Sequence, residues 1–110
     1  MQYRTIGCSG MEASVIALGC FAFGGDRQTG THAGQAFSAL HAGVWGEQDE
    51  VDSFATVKAA LDAGVNLFDN AEMYGDGYAE EVMGRALKAS GYHRSQYFIA
   101  TKVSLHPMHP

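Results

Sequence analysis

The chain alternates between short apolar runs and helical segments over residues 47–103, and this order constrains its fold more than any other feature. Apolar residues recur at helical spacing through 47–64 and 78–91, and the strand-like runs VNLFD and QYFIATKV follow these two segments in turn. Apolar strands that alternate with helices are typical of a parallel sheet with helical crossovers. The sequence therefore predicts an α/β fold in which the carboxyl ends of the strands meet at one edge of the sheet.

Both helical segments have recognisable ends. Asp49 is a candidate N-cap for the first helix, and Gly64 follows its last turn. Gly91 is placed to end the second helix in the same way. The residues predicted to face the core are Val51, Phe54, Val57, Ala60 and Leu61 in the first helix and Val82, Met83, Ala86 and Leu87 in the second.

The N-terminal part predicts a hairpin followed by a buried strand. The runs QYRTIG and EASVIAL are strand-like, and CSGM between them has the chemistry of a tight turn. The run SVIALG then leads into Gly19, where a buried strand should end. Residues 26–46 are less regular and predict either a short helix around Gln35–Leu40 or a long loop.

Length and charge narrow the class of protein. The 110 residues predict one domain, 1–110, and the net charge of −5 without a basic run argues against nucleic acid and anionic membranes as partners. No apolar stretch approaches the roughly 20 residues of a membrane span. The start MQYRTIG lacks the apolar core of a signal peptide, so a cytoplasmic location is the expectation.

The sequence gives little support for a metal site or a disulfide. Cys8 and Cys20 are the only cysteines, and in a chain without an export signal free thiols are expected. His106 and His109 could supply two zinc ligands, but no further ligand lies near them in sequence. We therefore expect no bound metal.

Asp69, Tyr74 and Lys102 are the candidate catalytic residues. Asp69 ends one predicted strand, Tyr74 lies in the loop beyond it, and Lys102 lies at the end of the next strand. Adjacent strands are about 4.8 Å apart, so a lysine on one can reach an aspartate and a loop tyrosine on the other. An ammonium beside a tyrosine favours tyrosinate, which makes a tunable proton donor for a carbonyl that receives hydride. The alternative is that each residue merely caps a turn, covers a surface or ends a strand.

The acidic residues around this loop allow two other hypotheses. A calcium loop that starts at Asp69 fails, because its third and fifth positions are Ala71 and Met73 and its sixth is Tyr74 instead of glycine. A glycosidase-type carboxylate pair is compatible with the spacing but gives no role to Lys102.

Three stretches of the chain resemble the aldo-keto reductase family, in particular its bacterial and potassium-channel β-subunit-like branches. They are MQYRTIGCSGMEASVIALGC, DAGVNLFDNAEMYGDGYAEEVMGRAL and IATKV. The resemblance implies a (β/α)8 TIM barrel, of which this chain would be the N-terminal portion: the hairpin and about three βα units. It also implies reduction of aldehydes or ketones with NAD(P)H. Tyr74 matches the family's general acid, Lys102 its cationic partner, and Asp69 the carboxylate partner of the lysine.

The resemblance also implies a cofactor site and one departure from the family pattern. Gly19, Cys20 and Phe21 match the first-strand loop near the nicotinamide, Asp69 belongs to the same site, and NADPH is the expected cofactor. Asn70 stands where the family usually has a small residue, often threonine.

A complete barrel needs about 250 residues and eight strands, whereas this chain reaches only the third. The family's catalytic histidine and its phosphate-binding loops would lie beyond Pro110. We therefore expect part of a reductase that is inactive alone and that self-associates through an unpaired strand edge. The alternative is a non-catalytic module that binds a nucleotide or a partner. Trp45 resembles an aromatic residue that lines the substrate site or packs on the barrel rim.

Overall fold

The fold is a short hairpin followed by a parallel sheet with helical connections, in a computed structural model that describes residues 1–25 and 46–103. The strands are β1 (Tyr3–Thr5), β2 (Glu12–Ser14), β3 (Leu18–Gly19), β4 (Leu67–Asp69) and β5 (Phe98–Ala100). The helices are α1 (Glu50–Asp62) and α2 (Tyr78–Ala89), and 3-10 turns cover Phe21–Gly24, Tyr74–Gly77 and Arg94–Gln96. Trp45, Gln35–Leu40, His106 and His109 lie outside the described residues.

The predicted hairpin and parallel sheet are both confirmed. β1 and β2 pair antiparallel, and β3, β4 and β5 form one parallel sheet in chain order. Gly19, Asp69 and Ala100 stand side by side in the register of this sheet. Successive strands therefore end at the same level, and the loops that follow them share one edge.

The helix ends are also confirmed. The Asp49 carboxylate accepts a hydrogen bond of 2.9 Å from the backbone N–H of Val51, which satisfies one of the free donors of the first turn of α1. Gly64 follows α1 with φ of 93°, and Gly91 follows α2 with φ of 83°. Both glycines adopt the left-handed conformation that commonly ends a helix.

The core lies between α1, α2 and one face of the sheet. Its buried members in these elements are Val57, Leu61, Phe68, Ala79, Val82, Met83, Ala86, Leu87 and, just before β5, Tyr97. The prediction for Val51 is wrong, because this side chain is 72% exposed. Val51 precedes the buried Ser53 by two residues, which is more than half a helical turn, so it points away from the core.

The third strand is less buried than its sequence predicts. Tyr97 is buried, but Phe98 is only half-buried, and Ile99 and Ala100 are exposed. β5 is an outer strand of the described sheet, so within the described residues it pairs only with β4. This strand is therefore more apolar than its solvent exposure within residues 1–25 and 46–103 would lead one to expect.

A side-chain network ties the hairpin to the amino end of β4. Asn66 Oδ1 accepts from the Ser14 N–H at 2.8 Å, and Ser14 Oγ accepts from the Asn66 N–H at 3.0 Å. The Tyr3 hydroxyl donates to the Gly64 carbonyl at 2.8 Å. The hairpin therefore closes the end of the sheet opposite the strand ends that carry Asp69 and Lys102.

Of the helices in the described ranges, none has the length and apolar character needed to cross a membrane.

Candidate active site

Backbone hydrogen bonds extend the sheet one residue past the strand ends. The N–H of Cys20 donates to the Asp69 carbonyl at 2.9 Å, and the N–H of Asn70 donates to the Ala100 carbonyl at 2.8 Å. The backbone on either side of Asp69 is therefore fixed to both neighbouring strands. Side chains that leave the sheet at this level start from defined positions.

Lys102 contacts the other two predicted catalytic residues, Asp69 and Tyr74. Its Nζ donates to Asp69 Oδ1 at 2.9 Å and to the Tyr74 hydroxyl at 3.2 Å, and it also donates to the Asn70 carbonyl at 2.7 Å. An ammonium has three donors, and all three are used here. The sequence-based expectation that Asp69, Tyr74 and Lys102 lie together is thus met in the geometry.

The contacts of Lys102 keep it charged. Its hydrogen bond to Asp69 is the main cause that raises its pKa above the ordinary value of 10.5, with a smaller contribution from Tyr74. The side chains of Lys102 and Asp69 are 49% and 50% exposed. The pair therefore lies at an open rim, where solvent weakens its attraction and small molecules have access.

Tyr74 is held by two loops in contact. Its ring lies 4.8 Å, centroid to centroid, from the ring of Phe21, which follows β3. One residue further, Gly75 meets Gly24 backbone to backbone: a Cβ on Gly24 would lie 2.6 Å from the Gly75 nitrogen. Only two glycines permit so close an approach. The loop after β3 thereby fixes the turn that carries the tyrosine hydroxyl.

The predicted cofactor loop after β3 separates into surface and interior residues. Gly19 is exposed and Phe21 is half-buried, whereas Cys20 is fully buried. Burial, with a contribution from Asp69, raises the pKa of the Cys20 thiol to about 12. Cys20 is therefore a neutral thiol at physiological pH, and its side chain does not reach the rim.

Two carboxylates near the site, Asp69 and Glu80, are bonded to groups other than carboxylates. Asp69 is paired with Lys102, and Glu80 accepts a hydrogen bond from the Thr101 hydroxyl. In residues 1–25 and 46–103 no group of three or more histidine, cysteine, aspartate or glutamate side chains could hold a metal ion. The geometry thus gives the glycosidase and calcium hypotheses no support within the described part of the chain.

Sequence reasoning missed three residues that shape the site: Asn70, whose carbonyl binds Lys102, and the glycine pair Gly24 and Gly75. The available signals were weak. The departure of Asn70 from the family pattern was the only sign for that residue, and a glycine in each of two loops does not show that the loops touch.

In the described residues a hairpin precedes a parallel sheet, and a lysine, an aspartate and a loop tyrosine meet at the carboxyl ends of its strands. The sequence profile of the aldo/keto reductase family matches residues 15–110. The chain belongs to this family of oxidoreductases.

Relatives and solved structures agree with this family. The chain is 40% identical over 105 residues to aldo-keto reductase YhdN of Bacillus subtilis, a match that covers 96% of this chain and 26% of that protein. It is 34% identical over 103 residues to a probable voltage-gated potassium channel subunit beta of Oryza sativa subsp. japonica, which covers 94% of this chain and 25% of that protein. The chain thus spans about a quarter of the length of the curated relatives it matches.

The structural matches are aldo-keto reductase TIM barrels of which this chain covers less than a third, so the chain is part of a (β/α)8 barrel. A thermostable aldo-keto reductase solved with the inhibitor epalrestat gives a TM-score of 0.67 at 25% identity, over 92% of this chain and 30% of that one. A glycerol dehydrogenase from Gluconobacter oxydans gives a TM-score of 0.63 at 31% identity, over 96% of this chain and 26% of that one.

Proposed function

We propose that this segment supplies the proton donor of a carbonyl reductase that uses NADPH. The observation that carries the proposal is the Lys102 ammonium, which contacts the Tyr74 hydroxyl and the Asp69 carboxylate at once. When bound, the reduced nicotinamide supplies hydride to the carbonyl carbon of an aldehyde or ketone. Tyr74 donates its hydroxyl proton to the carbonyl oxygen, which gives the alcohol and leaves tyrosinate.

Lys102 and Asp69 each have a distinct part in this step. The ammonium lies 3.2 Å from the tyrosine oxygen, so it faces the negative charge that develops there. The Asp69 carboxylate, 2.9 Å away, holds the ammonium in place and favours its charged form. The two side chains thus prepare the site electrostatically before the proton moves.

The strand ends also fit a flat cofactor ring. A Cβ on Gly19 would meet no atom within 4 Å, so the carboxyl end of β3 offers open space beside the site. Phe21 follows two residues later, and its ring lies 4.8 Å from the Tyr74 ring, centroid to centroid. Gly19 and Phe21, with the Asp69 side chain, are the residues of this segment that we assign to nicotinamide contact. A small-molecule carbonyl as substrate, the preference for NADPH and a cytoplasmic location are parts of the same proposal.

The test is Tyr74→Phe in the full-length protein whose barrel includes this segment. The variant keeps the ring beside Phe21 but has no proton to donate, so kcat for an aldehyde should fall by about a hundredfold to ten-thousandfold. NADPH binding, followed by cofactor fluorescence, should be unchanged. Tyr78→Phe is the matched control, because its hydroxyl bonds to Glu50 on α1 instead of Lys102. Full turnover in Tyr74→Phe would refute the assignment.

A non-catalytic module that binds a nucleotide or a partner is the second candidate. The similarity to probable potassium channel β subunits from Oryza sativa and Arabidopsis thaliana, at 34% and 32% identity, favours it. This candidate predicts that the wild-type full-length protein binds NADPH but reduces no aldehyde in a single-turnover assay.

A further inference from the structure

Asn70 is a buried polar side chain directly behind the candidate site. It is 0% exposed, although it follows the half-buried Asp69 at the end of β4. Its Oδ1 accepts the N–H of Ala71 at 2.9 Å, and its Nδ2 donates to the sulfur of Met83 on α2 at 3.4 Å. A buried amide is costly unless its groups are bonded, so these two partners define one orientation of the side chain.

The backbone of the same residue contacts the lysine. The Asn70 carbonyl accepts from Lys102 Nζ at 2.7 Å, which is the shortest of the three contacts of that ammonium. The Asn70 N–H donates to the Ala100 carbonyl at 2.8 Å, so the residue also links β4 to β5. One residue therefore connects α2, the outer strand and the lysine side chain.

We propose that Asn70 is a positioning residue for Lys102. The side-chain amide, anchored on Ala71 and Met83, fixes the direction of the Asn70 carbonyl, and this carbonyl holds the ammonium within reach of Tyr74. The inference rests on the proposed function, because it explains how the proton donor is kept beside its cation. Without the anchor the carbonyl turns, so the ammonium loses this acceptor and moves away from the tyrosine hydroxyl.

Two substitutions separate the anchor from general packing. Asn70→Leu keeps a similar volume but removes both side-chain hydrogen bonds. Met83→Leu keeps the apolar packing of a core position and removes the sulfur, which accepts from Asn70 Nδ2 and, at 3.7 Å, from Cys20 Sγ. Leu87→Met is the matched control, since it is a volume-conserving change at another buried position of α2.

The main readout is the titration of Lys102, followed by NMR of lysine labelled at the ε carbon in the full-length protein. Among the described residues, Asp69, Tyr74 and the Cys20 thiol are titratable groups that interact with this ammonium, and none of the three substitutions replaces them, although Met83→Leu removes the sulfur that Cys20 Sγ contacts. We expect Lys102 to titrate at lower pH in Asn70→Leu and, by a smaller amount, in Met83→Leu. Leu87→Met should titrate as the wild type does.

The second readout is aldehyde reduction. Displacement of a catalytic group by about 1 Å can cost a hundredfold in rate, so kcat of Asn70→Leu should fall by about tenfold to a hundredfold while NADPH binding is unchanged. If the wild type reduces no carbonyl, the proposed function fails, and the titration still decides the role of Asn70. A wild-type titration of Lys102 in folded Asn70→Leu overturns the inference. If Asn70→Leu does not fold, the same result in Met83→Leu overturns it.

Discussion

Gly24 and Gly75 touch through backbone atoms, and this contact joins the loop after β3 to the turn that carries Tyr74. A Cβ on Gly75 would lie 2.6 Å from the Cα of Gly24, and Gly75 has φ of 57°. Both the space and the backbone conformation therefore require glycine. The position of the Tyr74 hydroxyl therefore depends on a contact between two backbone segments.

Alanine at Gly75 should be strongly destabilising. The clash with Gly24 and the left-handed backbone together should lower the free energy of unfolding by about 2 kcal/mol or more, measured by urea denaturation of the full-length protein. Gly84→Ala is the control: Gly84 lies within α2 with nothing within 4 Å of its Cβ position, so this change should stabilise by about 1 kcal/mol. Equal effects of the two substitutions would contradict the close contact.

Removal of the Lys102 ammonium should give a stability difference that depends on pH in one direction. The pKa of Lys102 is raised in the folded state, chiefly by its hydrogen bond to Asp69. Its contribution is therefore fully present below the ordinary value of 10.5 and is lost as pH rises through the higher folded value. We expect Lys102→Met to be slightly less stable than the wild type at neutral pH, with the difference vanishing at strongly alkaline pH. The measurement is urea unfolding of both proteins at intervals of about one pH unit. If the two proteins are equally stable throughout the range from about pH 6 to 9, the ion pair is not formed.

The two cysteines should differ sharply in reactivity. Cys8 is exposed, whereas Cys20 is fully buried with a pKa of about 12, so only Cys8 has an accessible thiol. A thiol reagent should label one cysteine in the native protein and both after denaturation, as counted by mass spectrometry. Cys8→Ser should abolish native labelling. Rapid native labelling of Cys20 would mean that the loop after β3 opens readily.

The 110-residue chain expressed alone should self-associate. β5 is at the edge of the described sheet, Ile99 is 38% exposed and Val103 is 92% exposed. Edges of this kind pair with other chains, and a lysine on the edge strand suppresses that pairing. Size-exclusion chromatography should show concentration-dependent oligomers that Ile99→Lys reduces. Val51→Lys, at an exposed position of α1, is the control and should leave the elution profile unchanged.

The same isolated chain should reduce no aldehyde. The resemblance to aldo-keto reductases implies that a complete site also takes a histidine and phosphate-binding loops from later strands of the barrel, and positioning by such groups accounts for about 7–11 kcal/mol of the barrier in favourable cases. An NADPH oxidation assay on the purified 110 residues is the measurement. Clear turnover by a monodisperse monomer would mean that the described residues form a complete site.

Local patterns predicted the elements of this fold well, because their causes are local. The cap at Asp49, the stop at Gly91 and the inward face of α2 each depend on residues within a few positions of one another. Val51 was misplaced because apolar character alone does not define which side of a helix meets the core. The exposure of Ile99 follows from the absence of a further strand in the described sheet, which no local pattern contains.

The sequence predicted which residues lie at the candidate site, but not the contacts that hold them in place. The alternating pattern of strands and helices predicts that the parallel strands end at one edge of the sheet. Asp69 and Lys102, which follow or end neighbouring strands, do lie together at this edge. The anchor of Asn70 on Met83 and the Gly24–Gly75 contact are formed between distant segments by packing. Such contacts leave no periodic signal in a single sequence.

The arrangement of the site along one row of the sheet has a consequence for the order of folding. Gly19, Asp69 and Ala100 are neighbours in register. The hydrogen bonds that Lys102 makes to Asp69 and Tyr74 join segments that precede residue 103. During synthesis, N-terminal segments leave the ribosome first, at about 5–20 residues per second. The contact of Lys102 with Asp69 and Tyr74 can therefore form on the nascent chain once residue 103 has left the ribosome, so the candidate site can assemble during synthesis instead of after it.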